Sequence, residues 1–395
     1  MFDSIYTGMS GLMSYSKGLS SIGNNVANLN TAGFKGSDLE FLDLFYRHQY
    51  SGSPDQQSSP YAQGSGVTTG ATVTRFSQGD FRQTGNLLDA AIDGNGFFVL
   101  MKDGKTIYSR SGQFEFDDQG VLVSREDGAQ VAGLEGGGLT TISLAGRRSV
   151  AATATTQVSF TDSLSVGSPS FEVTNISLYD SLGVQHVLTL ALTNNNAATP
   201  GSWTYSLNEG SQVLTTGEVR YSGSGTPVAG FERRVFTYSP GNGARATAVT
   251  LDFSASNAFS SATSTLKVGS QNGKAAGFLS SAELDAQGGL VLSYSNGDKI
   301  NGPRLALANF VSTSVLQQQG SNRFAVFGEA RPQLGTAGQG VFGSLRAGSV
   351  ELSNVDLARE FSELIVVQRG YQASSQVISA ANEMIQQLGE IRGRR

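Results

Sequence analysis

The sequence predicts a mainly β protein with terminal α-helices, in which the two chain ends pair as an α-helical coiled coil and nested β domains lie between them. Three observations point there. An apolar heptad runs along each end, the long middle alternates apolar and polar residues between glycines, and the patterns follow in nearly palindromic order: helix, sheet, inserted sheet, sheet, helix. A sustained heptad is a helix pattern, and a period of two between turn residues is a strand pattern.

At the C-terminal end Leu357, Leu364, Tyr371, Ile378 and Ile385 recur at every seventh position, with Glu360, Val367, Ser374, Ala381 and Leu388 as the offset series. The N-terminal end repeats this with Ile5, Leu12, Leu19 and Val26, and with Gly8, Tyr15, Ile22 and Leu29 three residues later. Two half-seams predict a pair, residues 1–30 with 353–395, that serves as the assembly seam. Small seam residues would permit close backbone approach, and Glu360 would favour one register over slipped ones. Ser353 and Asp356 have capping-box spacing, and Gly389 and Gly393 weaken the pattern at its end. Taken alone, such stripes also describe an ordinary buried helix pair closing a globular domain.

After the first helix comes NNVANLNTAGFK, Asn24–Lys35, whose asparagines and Gly33 stop it. Leu39, Leu42, Phe45 and Tyr46 give 38–50 a helix-like spacing, and the Ser, Gly, Gln and Pro of 51–66 read as an extended linker, so 31–66 is expected to connect helix and sheet. Residues 67–147 alternate as an antiparallel meander, with Phe97, Val99 and Met101, then Phe114 and Phe116. Residues 148–279 continue the β signal with Leu188, Leu190 and Leu192, Trp203, Tyr205 and Leu207, and Val249, Leu251 and Phe253. They are bounded by loose small-residue stretches, as expected of an inserted outer sandwich or barrel. Strands resume in 280–352 to complete the middle β domain, and Gly335–Gly343 forms a glycine-rich loop before the last helix.

Composition excludes several classes. Glycine supplies 50 of 395 residues, roughly twice its ordinary share, without the period of three of collagen. A net charge of -5 gives no electrostatic footprint for nucleic acid or an anionic membrane. Without cysteine there are no disulfides, thiolate metal sites or cysteine nucleophiles, and the two histidines, His48 and His186, read as surface or loop residues. No apolar run is long enough to insert in a membrane, and the first residues lack the basic and apolar regions of a cleaved secretory signal. GSQNGKAAG at Gly269–Gly277 is too short between its first glycines and has Ala275 where a phosphate loop needs Ser or Thr. Gly94 and Gly96 frame a turn, Asp117 to Gly120 is hairpin chemistry, and Arg392, Arg394 and Arg395 complement the negative end of a helix. No catalytic residue, cofactor or metal is expected.

The segment Asn24–Lys35, with Asn24, Asn25, Asn28, Thr31, Gly33, Phe34 and Lys35, resembles the signature of the bacterial flagellar rod and hook axial proteins, and the flanking heptads are what that family carries. Further blocks agree: GDFRQTGNLLDAAIDGNGFFVL with YSRSGQFEFDDQGVLV, LANFVSTSVLQQQGSNRF, and VELSNVDLAREFSELIVVQRGYQASSQVI. Rod members are shorter and lack a large insertion, whereas SLYDSLGVQHVLTLAL, Ser177–Leu192, is similar to a block in the outer domain of hook members. The resemblance therefore implies a hook subunit, with an inner helical domain, a middle β domain and an outer β domain stacked in a helical homopolymer. Such a tube would couple torque from the distal rod to the filament, meet the hook cap and hook-filament junction proteins, and be fed by the flagellar export apparatus. A distal rod protein, a surface adhesin and a glycan-acting enzyme compete with this reading. The rod lacks the insertion, an adhesin has no use for paired terminal heptads, and an enzyme needs a close carboxylate pair that nothing here suggests.

Overall fold

In the computed structural model, which describes residues 2–49, 61–261 and 263–392, a helix at each end brackets a chain of β-strands. The first helix, α1, spans Phe2–Ala27, and the last, α2, spans Leu357–Arg392. The chain divides into two units, one of Met1–Ala145, Ala282–Val291 and Asn301–Arg395, the other of Gly146–Ser281 and Leu292–Ile300.

In the first unit α1 ends where asparagines offer the backbone other partners. The Asn28 side chain donates to the Asn24 carbonyl at 2.9 Å, and the Thr31 hydroxyl donates to Asn28 Oδ1 at 3.1 Å. Gly33 then takes φ +70°, and a Cβ there would lie 2.5 Å from the Ser111 amide nitrogen, so only glycine fits the turn.

The next stretch departs from expectation. Of the stretch 38–50, read as helix-like, the described residues form β1 (Ser37–Asp43) and β2 (Tyr46–Gln49), and the far end of the expected linker forms β3 (Tyr61–Gly64). β1 pairs with β4 (Val67–Thr74) and β2 with β3, all antiparallel, so the described parts of 37–64 are paired strands rather than a plain connector. The partner strand VTTGATVT is dominated by β-branched residues, and pairing with it overrides a spacing that fits a helix equally well. Residues 50–60 of the expected linker lie outside the described residues.

The main sheet is built around Phe97–Lys102, which pairs with Lys105–Ser109, Gln130–Glu135 and Leu307–Asn309. Phe97, Val99, Tyr108, Phe310 and Phe324 form one core cluster. Simple alternation understates this strand, since Phe98 and Leu100 on the opposite face are buried too, Phe98 edge-on to Phe114 at 5.1 Å between centroids.

The second unit is a sandwich of two four-stranded sheets. One contains Gln157–Ser165, Arg233–Tyr238, Thr247–Phe259 and Lys267–Gln271; the other contains Ser170–Tyr179, Gln185–Asn194, Ser202–Glu209 and Gln212–Arg220. Alternate residues of both inner faces meet in one core, including Leu188, Leu190, Leu192, Trp203, Leu207, Val249, Leu251 and Phe253. The chain enters and leaves this unit side by side, with Ser149 paired to Phe278 and Val150 to Gly277.

Candidate functional site

The feature that calls for a function is the helix pair and its polar base. Among the described residues no group of His, Asp and Glu could hold a metal ion, and no helix is long and apolar enough to cross a membrane.

The helices run antiparallel, and glycine sets their separation. A Cβ at Gly8 would lie 2.7 Å from Ile378 Cγ1, one at Gly18 would meet Val367 Cγ1 at 3.3 Å, and one at Gly370 would fall 2.5 Å from the Tyr15 ring. The buried positions of α1 are Gly8, Gly11, Ser14, Gly18, Ile22 and Asn25. The intrachain seam thus joins the Gly8, Tyr15, Ile22 series to Gly11, Gly18 and Asn25. Ile5, Leu12, Leu19 and Val26, expected on it, flank it half-buried. On α2 Glu360, Val367 and Ala381 are buried and Leu364, Ile378 and Ile385 half-buried. Leu357, Tyr371 and Leu388, also expected on the seam, remain 37–49% exposed. Hydrophobicity marks where water is excluded without saying by which chain, and a glycine seam carries no hydrophobic signal at all.

Both helices consequently present apolar side chains to solvent. Tyr6, Met9 and Met13 do so on α1, and Phe361, Ile365, Val366, Val377 and Met384 on α2. The start of α2 also differs from the expected capping box. Asp356 itself is the N-cap, accepting from Ala358 N at 2.8 Å, while Ser353 Oγ accepts from Val355 N. Gly389 lies within α2.

Two buried polar networks fix the base of the pair. In the first, Asn25 accepts from Ser37 N at 3.0 Å, donates to Ser37 O at 2.9 Å and donates to Glu360 Oε2 at 3.1 Å, while Arg75 Nη2 meets Glu360 Oε1 at 2.5 Å. In the second, Lys35 Nζ lies 2.6 Å from Glu351 Oε1 and 2.8 Å from the Ser77 carbonyl. Arg110 Nη1 reaches Glu351 Oε2 at 3.3 Å, and Gly79 N donates to Oε1 at 2.9 Å. The Lys35 and Glu351 side chains are wholly buried. Burial pulls the Lys35 and Arg110 pKa values below their ordinary ranges, opposed by the charge of Glu351.

These networks give the Asn24–Lys35 segment its physical content. Asn24 and Asn28 end the helix, Thr31 and Gly33 turn the chain, Phe34 is buried, and Asn25 and Lys35 tie the turn to residues more than 300 positions away. Removing one partner of such a buried pair leaves an uncompensated charge, at a cost of about 3–5 kcal/mol. Arg75, Arg110 and Glu351 were not among the expected site residues, because nothing local in the sequence pairs them.

Comparison with known proteins finds matches at both ends and in the middle of the chain. Family profiles match residues 5–35 (flagella basal body rod protein), 91–166 (flagellar hook protein FlgE/F/G D1 domain), 170–274 (flagellar basal body protein FlaE D2 domain) and 346–391 (flagellar basal body rod FlgEFG protein C-terminal). The chain is 30% identical to the flagellar hook protein FlgE of Escherichia coli, over 97% of this chain and 98% of that one. It is 28% identical to the flagellar hook protein FlgE of Borreliella burgdorferi, over 98% and 99%. The crystal structure of Helicobacter pylori flagellar hook protein FlgE2 aligns at a TM-score of 0.46 and 13% identity, covering 67% of this chain and 99% of that one. With 30% identity over nearly the full length of both chains, and hook and rod profiles matching from one terminus to the other, the chain belongs to the flagellar hook protein FlgE family.

Proposed function

We propose that this chain is the structural subunit of a bacterial flagellar hook, polymerising into a flexible helical tube that transmits torque from rod to filament and encloses the export channel. One observation carries the reading beyond family membership: the paired helices leave apolar rows uncovered. Eight large apolar side chains stand outward on α1 and α2, from Met9 at 45% to Val366 at 68% exposure. Covering about half of each is worth about 1 kcal/mol per side chain, on the order of 10 kcal/mol per subunit. A subunit that contacts its neighbour through different faces, without closing a ring, builds an open helical polymer.

The same reading places the protein in the hook outside the cell, delivered by the flagellar export apparatus. The distal rod and the hook-filament junction proteins would meet the ends of the tube, and the hook cap its growing tip. The reading makes the protein a structural element and not an enzyme, and leaves the seam residues and the Asn24–Lys35 segment to hold the subunit in register. Val366→Asp tests it, because this residue points away from the intrachain seam. Folded, exported monomers that form no sedimenting polymer are expected; polymer at the parental concentration overturns the assignment of this face to assembly.

A further inference from the structure

His186, expected as a surface or loop residue, lies instead on the strand Gln185–Asn194 with its side chain only 13% exposed, between two carboxylates. Nδ1 is 2.8 Å from Glu209 Oε1 and Nε2 is 3.1 Å from Asp180 Oδ2. A neutral imidazole carries one N–H, so with both ring nitrogens facing carboxylate oxygens one contact would set lone pair against lone pair. Only the imidazolium donates to both.

The two acceptors are themselves structural. Asp180 Oδ1 takes the amides of Leu182 and Val184 at 2.9 Å each, closing the turn 180–184, and its Oδ2 also accepts from Asn242 at 2.6 Å. Glu209 Oε2 accepts from the Tyr238 hydroxyl at 2.9 Å, and Tyr238 belongs to the facing sheet, its ring edge-on to the imidazole at 5.3 Å. The titratable groups that face His186 are therefore Asp180, Glu209 and Tyr238, from three different segments.

The turn closed by Asp180 backs onto the segments through which the chain enters and leaves this unit. Gly183 has φ +85°, and a Cβ there would lie 2.8 Å from Ala152 Cβ and 3.1 Å from Ala276 N. Those two segments are bridged by Thr153 and Lys274, and Thr155 exchanges hydrogen bonds with Tyr179 beside the turn. At its tip Leu182 and Val184 stand 61% and 47% exposed.

We propose that His186 is a proton-operated latch. As the imidazolium it holds the Asp180–Val184 turn closed against the neck of the sandwich, and on losing a proton it releases one carboxylate and lets the turn loosen. Electrostatics agree in direction. Burial disfavours the charge on His186, but hydrogen bonds to Asp180 and Glu209 outweigh it and raise the pKa above 6.5. Burial likewise works against Asp180, yet bonds from Asn242, His186 and the turn amides take it down to about 2. A raised histidine contributes stability that is fully present below its unfolded pKa and lost as pH rises through the folded one. The depressed Asp180 contributes stability present above 3.8 and lost as pH falls towards about 2. The latch is thus closed in weak acid and opens on the alkaline side.

The sequence contains only two histidines, so the full-length subunit gives two imidazole C2 proton signals, and His186→Gln identifies one of them. A pH titration by NMR, with hydrogen-exchange protection factors for the Leu182 and Val184 amides, tests the proposal. The His186 signal should titrate above 6.5, and the protection of both amides should fall with the same midpoint, by about tenfold for each pH unit that separates this midpoint from that of a free imidazole. In His186→Gln that step should vanish. Glu209→Gln, which keeps the histidine and the hydrogen bond to Tyr238, should bring the titration back towards the ordinary value. A wild-type midpoint at or below 6.5, an unchanged midpoint in Glu209→Gln, or the same loss of protection in His186→Gln overturns the proposal.

Discussion

Replacing Glu360 by Gln isolates the contribution of buried charge to the register of the helix pair. Glu360 is buried, with one oxygen 2.5 Å from Arg75 Nη2 and the other 3.1 Å from Asn25 Nδ2. Orphaning a buried partner costs about 3–5 kcal/mol. Arg75 keeps Asp38 at 3.5 Å and is 15% exposed, which points to the lower end, about 3 kcal/mol. If the helix pair orders only as subunits add to a polymer, that penalty falls on assembly. At about 1.4 kcal/mol per tenfold, the subunit concentration needed for polymer should rise roughly a hundredfold. Sedimentation across a concentration series measures this. The double variant Glu360→Gln with Arg75→Met removes both charges and frees the glutamine oxygen for Asn25, so it should recover at least about 1 kcal/mol of the loss. Glu360→Gln polymer at the parental concentration, or a double variant as poor as the sum of the singles, would refute the reasoning.

Other parts of the molecule give further expectations. Leu364→Asp or Ile378→Asp puts a charge beside the intrachain seam, where desolvation costs several kcal/mol, so folded monomers should accumulate in sedimentation runs without polymer. Sixty-odd helical residues cost about 1 kcal/mol or more each to order, more than the seam supplies, so hydrogen exchange on the monomer should find the termini unprotected and the β-strands protected; strong protection of 364–378 would contradict it. Replacing 148–279 by a short Gly-Ser bridge spans two ends already hydrogen-bonded, Leu279 N to Arg148 O at 3.0 Å. Tubes should still form but lose their curvature in micrographs; curved tubes, or none, would show that the second unit has another role. Lys35→Met leaves the buried Glu351 to Arg110 and a backbone amide, and should lower the chemical-denaturation midpoint of the first unit by about 3 kcal/mol in stability.

The sequence carried the architecture because its periods are long and its turns explicit. The alternation through Leu188–Leu192, Trp203–Leu207 and Val249–Phe253 returns as the core of one sandwich. What it did not carry was physically hidden. Gly11 and Gly18 lie on the seam, where an added Cβ would press on Ser374 Oγ at 2.6 Å and on Val367 Cγ1 at 3.3 Å, and glycine leaves no trace in a hydrophobic pattern. Leu357, Tyr371 and Leu388 keep the heptad while facing solvent. Residues 38–49 satisfy a helical spacing, yet their hydrogen bonds go to β3 and β4, which no local pattern reveals. Asp356 and not Ser353 caps α2, since Asp356 Oδ1 takes the Ala358 amide while Ser353 Oγ takes that of Val355, before the helix begins. The ion networks were legible only at single members, Lys35 and Glu360, because Glu351, Arg110 and Arg75 are brought to them by the fold.

The proposed function makes the paired termini the core of a polymer. A cryo-electron-microscopy reconstruction of the assembled protein tests it most directly. A hollow tube is expected whose lumen is lined by α1 and α2, with the outward row of Phe361, Ile365 and Val366 covered by a neighbouring subunit. A polymer joined through the β units, with the helices free at its surface, would contradict it.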